Sequence, residues 1–146
     1  MNEETLQQQV ADYLRLQYPK VIFHSDFGSG TKLTMGQAVR QKRLNGGKRA
    51  WPDMFIAEPM EVDFGQPSWR RYAGLFIELK REKTRIRKKN GEFASDHIRE
   101  QYMMLERLSE RGYKAKFAVG FDEAKKIIDD YLGGKPWRRK SAYRKS

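Results

Sequence analysis

The chain has 146 residues and a net charge of +11, from 30 Lys and Arg against 19 Asp and Glu. This length supports one domain with a buried core, and the absence of cysteine excludes a disulfide scaffold and thiolate-based zinc or nucleophile chemistry. Because there is no apolar run of 18 residues and no signal-like start, we expect a soluble intracellular domain with no membrane partner.

Two helices and two short strands are predicted in the N-terminal half. Apolar residues at helical spacing indicate a helix over residues 3–17. Thr34 and Gln37 form a capping-box pattern, which predicts a short basic helix after a Gly- and Ser-rich loop. The predicted strands lie at residues 21–23 and 54–57.

The C-terminal half begins with the clearest strand, at 75–80, and continues through a basic loop into a helix over 95–111. A strand at 116–120 leads into a final helix, which Asp122 is predicted to cap. This alternation predicts an α/β fold, a small mixed central β-sheet flanked by helices on both faces. The chain is expected to divide into a domain and a basic tail, at residues 1–133 and 134–146.

The positive charge is concentrated in residues 40–49, 80–89 and 134–146. Such clusters favour a polyanionic partner, because paired phosphates release their counterions; solvated faces and a solubilising tail are the alternative. Trp137 and Tyr143 could stack on exposed bases. The candidate nucleic-acid-binding residues are Arg40, Lys42, Arg43, Lys48, Arg49, Arg85, Arg87, Lys88, Lys89, Arg138, Arg139 and Lys140.

Glu78 and Lys80 are the most informative charged residues, because both lie within an otherwise apolar strand. Residues two apart point to the same face of a strand, so both side chains project beside Phe76. Burying these charges is costly unless they pair or serve a site. An ordinary strand-edge ion pair is the alternative interpretation.

Asp53 lies between Pro52 and the predicted strand at 54–57, where the restricted proline backbone places the carboxylate at the strand entrance. If this strand neighbours the strand at 75–80, Asp53 and Glu78 converge. Two adjacent carboxylates repel each other unless a cation lies between them, and oxygen ligands suit Mg²⁺ or Mn²⁺. A Pro-Asp turn with no further role is the alternative.

Further polar residues are candidates for the same site. Glu3 continues the apolar stripe of the first helix, whereas Glu4 is rotated toward solvent; an acid that only complements the helix dipole is the alternative. Gln101 interrupts the apolar stripe of the helix at 95–111, either as a site residue or as a boundary position. His24 follows a strand and is interpreted as a structural histidine rather than a ligand or base.

The ordered set of these motifs resembles the VRR-NUC family of the PD-(D/E)XK nuclease superfamily. The central motif is Pro52-Asp53, then 24 residues, then Glu78-Leu79-Lys80. The residues that frame it are Glu3-x-x-Leu6-Gln7, Phe23-His24 with the Gly28–Gly30 loop, Gly74, and Gln101 followed by Leu105, Leu108 and Gly112. The similarity covers residues 3–132, and compact stand-alone members from phages and bacteria are the most similar. The long segment after Asp53 and the basic loop 81–93 depart from the family pattern.

This resemblance implies a restriction-endonuclease-like core and a Mg²⁺- or Mn²⁺-dependent endonuclease that hydrolyses DNA phosphodiester bonds. The implied metal ligands are Asp53, Glu78, the backbone carbonyl of Leu79, and Glu3 or alternatively Glu4. Lys80 would orient or activate the attacking water, and Gln101 would support the site.

The resemblance also implies branched DNA, such as a Holliday junction, as a substrate and allows a homodimer with paired sites. The expected location is the cytoplasm of a bacterial host or a phage-infected cell. Two other functions stay open, namely a DNA-binding module with a vestigial site and an RNA-directed nuclease. Intact Asp53, Glu78 and Lys80 favour the enzyme, because a scaffold gains nothing from clustered buried charge.

Overall fold

A computed structural model describes residues 2–26, 33–63 and 70–137 of the chain, and these residues form four helices and seven strands. The helices are α1 (Glu3–Gln17), α2 (Met35–Leu44), α3 (Asp96–Ser109) and α4 (Phe121–Leu132). The strands are β1 (Phe23–Ser25), β2 (Met54–Ile56), β3 (Met60–Val62), β4 (Arg70–Tyr72), β5 (Leu75–Lys80), β6 (Lys114–Val119) and β7 (Lys135–Pro136). None of the helices in this described part of the chain has the length and apolar character to span a bilayer.

The central sheet has the strand order β1-β2-β5-β6. Its first two neighbouring pairs are antiparallel and the β5–β6 pair is parallel, so the sheet is mixed. Because successive strand residues face opposite sides, β5 buries Leu75, Ile77 and Leu79 against α1 and α4, and Phe76 against α3. The predicted α/β fold with helices on both faces is confirmed.

A second, three-stranded sheet was not predicted. Its order is β4-β3-β7, and it includes residues assigned from the sequence to a connection and to the tail. Lys135 and Pro136 pair with Glu61 and Met60, so the chain beyond residue 133 begins as part of the folded unit. Strands of two or three residues are too short for a period-two pattern to show.

Several element ends differ from their predicted positions. The first strand begins at Phe23 rather than at residue 21, because Phe23 to Ser25 pair with β2. Gly120, with φ +84°, precedes α4 as its N-cap, whereas Asp122 lies in the first turn, so the predicted Asp122 cap is wrong. Such a positive φ is accessible to glycine at little cost.

The capping box of Thr34 and Gln37 is confirmed at the start of α2. This helix buries none of its residues, and Met35, Val39 and Leu44 are exposed. The Gly28–Gly30 loop and the candidate residues Arg138, Arg139, Lys140 and Tyr143 lie outside the described residues.

Candidate active site

The register of two central strands brings Asp53 and Glu78 together. Met54 of β2 pairs with Ile77 of β5 in an antiparallel ladder, so the residue before Met54 lies opposite the residue after Ile77. Alternation places both carboxyl groups on the sheet face that packs against α3. Two residues 25 positions apart in the sequence are thereby adjacent through backbone pairing alone.

Backbone hydrogen bonds hold Asp53 at this position. Its Oδ2 accepts a hydrogen bond from the Leu79 N–H at 2.8 Å, and its carbonyl oxygen accepts one from the Asp26 N–H at 2.8 Å. The N–H and C=O of one strand residue project to the same edge. The Leu79 carbonyl therefore points toward the Asp53 side of β5.

Glu78 is buried among polar partners from two elements. Glu78 is only 3% exposed, and its Oε1 accepts a hydrogen bond from Gln101 Nε2 at 2.7 Å. Lys80 Nζ, on a residue 6% exposed, lies 4.0 Å from the same oxygen. Glu78 Oε2 receives no hydrogen bond from the described part of the protein. A buried carboxylate oxygen without a donor is costly.

The environment raises the pKa of both carboxyl groups. Burial first, and then the nearby charge of Asp53, raise the pKa of Glu78 to about 9. Burial also raises the pKa of Asp53, against the opposing effect of the Leu79 N–H. Without a cation, the pair therefore retains a proton at neutral pH.

Glu3 lies near this pair at the start of α1. Its charge raises the pKa of both Asp53 and Glu78, and the residue is half-buried, whereas Glu4 is exposed. The helix begins at Glu3 because Asn2 caps it, accepting a hydrogen bond from the Thr5 N–H at 2.8 Å.

Gln7 links α1 to β1, a contact that the sequence analysis did not single out beyond the place of Gln7 in the motif. Its Nε2 donates to Ser25 Oγ at 2.6 Å and also to the Asp26 carbonyl oxygen. These contacts tie the first turns of α1 to the end of β1, beside Asp53. Gln7 lies one helical turn beyond Glu3 and therefore on the same side of α1, but no local pattern specifies its partners on β1.

The oxygen atoms at this site fit a small divalent cation. Across residues 2–26, 33–63 and 70–137, no three Asp, Glu or His side chains form a ready-made metal cluster. Mg²⁺ does not require one, because it keeps several water ligands and is commonly held by one or two carboxylates. The unpartnered Glu78 Oε2, the adjacent Asp53 carboxyl and the Leu79 carbonyl supply such donors.

The candidate cations that the structure describes do not all have the same surroundings. Those of residues 40–49, together with Arg85, Lys88 and Lys89, are exposed. Arg87 is also exposed, but its guanidinium lies 4.0 Å from the centre of the Phe93 ring and its Nη1 donates to the Gly91 carbonyl. Arg87 therefore contacts other residues of the same basic loop.

The sequence analysis overlooked a basic surface on α3. Arg99 and Arg107 lie on its outer side, and both line a cleft with Arg49. Arg111 and Lys48 line the adjoining cleft. The spacing of Arg99 and Arg107 corresponds to one helical face and could have revealed part of this surface, whereas Arg111 lies in the turn after α3.

His24 is exposed and pairs with Phe55 across β1 and β2. It lines a groove of about 610 Å³ that also includes Asp53. The histidine therefore lies on the same face of the sheet as the carboxyl pair, although no described contact joins them.

Comparison with known proteins finds similarity among solved structures. No family model matches the sequence, and no curated protein matches it. A solved structure described as "VRR_NUC domain protein" is 22% identical, with a TM-score of 0.66 over 94% of this chain and 93% of that chain. The resemblance predicted from the motifs is thereby confirmed at the level of the fold: this chain has the fold of a VRR_NUC domain protein.

Proposed function

We propose that this chain is a VRR-NUC nuclease that uses Mg²⁺ or Mn²⁺ to hydrolyse phosphodiester bonds in DNA. The observation that carries the proposal is the buried pair of Asp53 and Glu78, with the Lys80 ammonium beside it. Two adjacent carboxyl groups with raised pKa values, one of them beside a buried ammonium, are typical of a catalytic site rather than a structural ion pair. The VRR_NUC fold supports the same function.

Asp53, Glu78 and the Leu79 carbonyl would hold the cation, and Glu3 would complete the set through water. The bound metal would supply Lewis-acid stabilisation of the phosphate and a lowered pKa for the attacking water. In this assignment Glu3 is preferred over Glu4, because Glu3 is half-buried and its charge raises the pKa of both carboxyl groups, whereas Glu4 is exposed.

Lys80 would orient the attacking water and stabilise the negative charge that develops on the phosphate. Its nearly complete burial makes this charge more effective than that of an exposed lysine. Gln101 would act as a positioning residue, since its amide fixes one oxygen of Glu78 and leaves the other free for the metal.

The test is a cleavage assay with plasmid and with a synthetic four-way junction, in Mg²⁺, Mn²⁺ or EDTA. We expect metal-dependent nicking that EDTA abolishes, and faster cleavage of the junction if the substrate is branched DNA. A folded protein that cuts no DNA with either metal would refute the enzyme. Cleavage of a matched RNA strand instead would reassign the substrate, and gel filtration with and without the junction would detect a homodimer.

The basic tail gives a prediction about affinity. Truncation after Trp137 removes five cations and preserves β7, since the Trp137 N–H still donates to the Pro59 carbonyl. If all five cations contact phosphates, the magnitude of the slope of log K against log salt on duplex DNA falls by about 4.5 units. Fluorescence anisotropy at several salt concentrations measures this slope. An unchanged slope in a truncated protein of normal thermal stability would show that the tail does not contact DNA.

A further inference from the structure

The groove beside Asp53 is walled by aromatic rings. Its volume is about 610 Å³, and Trp51, Phe55 and Phe76 line it. The Phe55 and Phe76 rings are stacked, with centroids 4.4 Å apart, and the Trp51 centroid lies 6.3 Å from that of Phe76. Asp53 lines the same groove, so these rings lie beside one member of the carboxyl pair.

The backbone holds Trp51 in place although its side chain is 40% exposed. Pro52, which follows it, is buried and has a fixed φ. Ala50, which precedes it, has φ +63°, a left-handed conformation unfavourable for alanine, and packs against the cluster around Phe76. A large indole is therefore fixed at the groove with much of its surface open.

The charge of the groove indicates what it can accept. Asp26 and Asp53 line it, and none of the described residues that line it is Lys or Arg. Among the described lining residues, a phosphate inside would meet two carboxylates and no cation. The exposed cations Arg43, Lys48 and Arg49 instead flank the groove-lining segments in sequence. An uncharged planar group can therefore bind inside the groove, while the phosphate backbone of a nucleic acid lies outside it.

The polar atoms of the groove fit the edge of a nucleobase. His24 and Asn45 are among its lining residues, and both can donate and accept hydrogen bonds. Bases in a duplex have both faces covered by their neighbours, so only an unpaired base can stack on a protein ring. Stacking tolerates any base, because every base has a π-face.

We propose that this groove binds an unpaired nucleobase next to the phosphodiester that is cut, with Trp51 as the principal stacking residue. The inference rests on the proposed nuclease function and adds to it a substrate requirement, namely at least one unpaired nucleotide at the cleavage point. Single strands, gaps, bulges and the branch points of junctions meet this requirement, whereas a continuous duplex does not.

Tryptophan fluorescence tests the contact without catalysis. Trp69→Phe combined with Trp137→Phe leaves Trp51 as the only tryptophan of the chain. In EDTA, an eight-nucleotide oligothymidylate should quench this fluorescence, and an abasic oligonucleotide of equal length and charge should not. Equal quenching by both oligonucleotides, or by neither at saturating binding, would overturn the assignment.

A second test of the stacking contact compares the oligonucleotide affinities of alanine variants. Trp51→Ala should weaken oligothymidylate binding about tenfold or more and leave abasic binding unchanged, and Trp51→Phe should restore most of the loss. Leu16→Ala is the control, since Leu16 is 65% exposed on α1 and is not among the described residues that line the groove. If Trp51→Ala lowered the affinity for both oligonucleotides equally, the inference would be overturned.

A cleavage assay distinguishes failure of this inference from failure of the proposed function. With Mg²⁺, a duplex carrying one unpaired thymidine should be cut faster than the fully paired duplex, and Trp51→Ala should remove most of that difference. Equal cutting of both duplexes by the wild-type protein refutes the base site and leaves the nuclease intact. Base-dependent binding without any cleavage refutes the nuclease and leaves the base site intact.

Discussion

Asp53→Asn and Glu78→Gln should each lower the rate of DNA cleavage by about 10³-fold or more while DNA binding persists. Both substitutions keep the shape of the side chain and replace one ionisable carboxyl group of the pair by a neutral amide. The amide oxygen that Asp53→Asn introduces can still accept from the Leu79 N–H, and the one that Glu78→Gln introduces can still accept from Gln101. The loss should therefore come from the chemistry rather than from misfolding.

DNA binding should be unchanged or tighter in the same variants, because each removes a negative charge that faces a phosphate. Glu106→Gln is the matched control: it removes one charge from an exposed position on α3, the helix that also carries Gln101. We expect it to cut at the wild-type rate. Single-turnover cleavage and anisotropy titrations measure the two quantities, and wild-type rates for both site variants would show that the site is misplaced.

The carboxyl pair was predictable in part, because alternation within one strand is local, whereas the meeting of Asp53 with Glu78 was conditional on β2 lying beside β5. Alternation within β5 places Glu78 and Lys80 on one face, and the antiparallel pairing of β2 with β5 brings Asp53 opposite Glu78. Gln101 was identifiable as a polar residue on an apolar helical stripe, and its amide does contact Glu78. Their catalytic roles stay predictions until cleavage is measured.

Features that depend on distant pairing were not predictable. The strand β3 pairs with β7 across more than 70 residues, and neither strand is long enough to show a periodic pattern. The link from Gln7 to the end of β1 depends on how α1 crosses the sheet, which no local pattern specifies. The aromatic groove likewise unites Trp51 with Phe76 only after β2 and β5 have paired.

The metal-free protein should lose stability as the pH rises from about 5 toward 9. In the folded state burial and Asp53 hold the pKa of Glu78 at about 9, above its ordinary value of 4.5. Between these values the unfolded chain binds fewer protons than the native state, so the free energy of unfolding decreases with pH. One proton corresponds to at most about 1.4 kcal/mol per pH unit, or about 4 °C in Tm for a chain of this size.

The groups that face Glu78 account for this direction. Asp53 and the more distant Glu3 oppose its ionisation, and Lys80 favours it without outweighing burial. Gln101 contributes a neutral amide, which donates to Glu78 Oε1. Glu78→Gln cannot ionise, so in EDTA this variant should be more stable than the wild type at pH 8 and should show a flatter dependence of Tm on pH.

A divalent cation should reverse the trend, because it binds the ionised carboxylates and stabilises only the folded state that brings them together. Mn²⁺ or Mg²⁺ should therefore raise the Tm of the wild type more at pH 8 than at pH 5.5, and raise that of Glu78→Gln much less. Thermal melts in EDTA and in metal, with Glu106→Gln as the charge-matched control, measure these shifts. Parallel pH profiles for the wild type and Glu78→Gln in EDTA would show that Glu78 ionises normally, and the case for a cation between the two carboxylates would then lose its electrostatic basis.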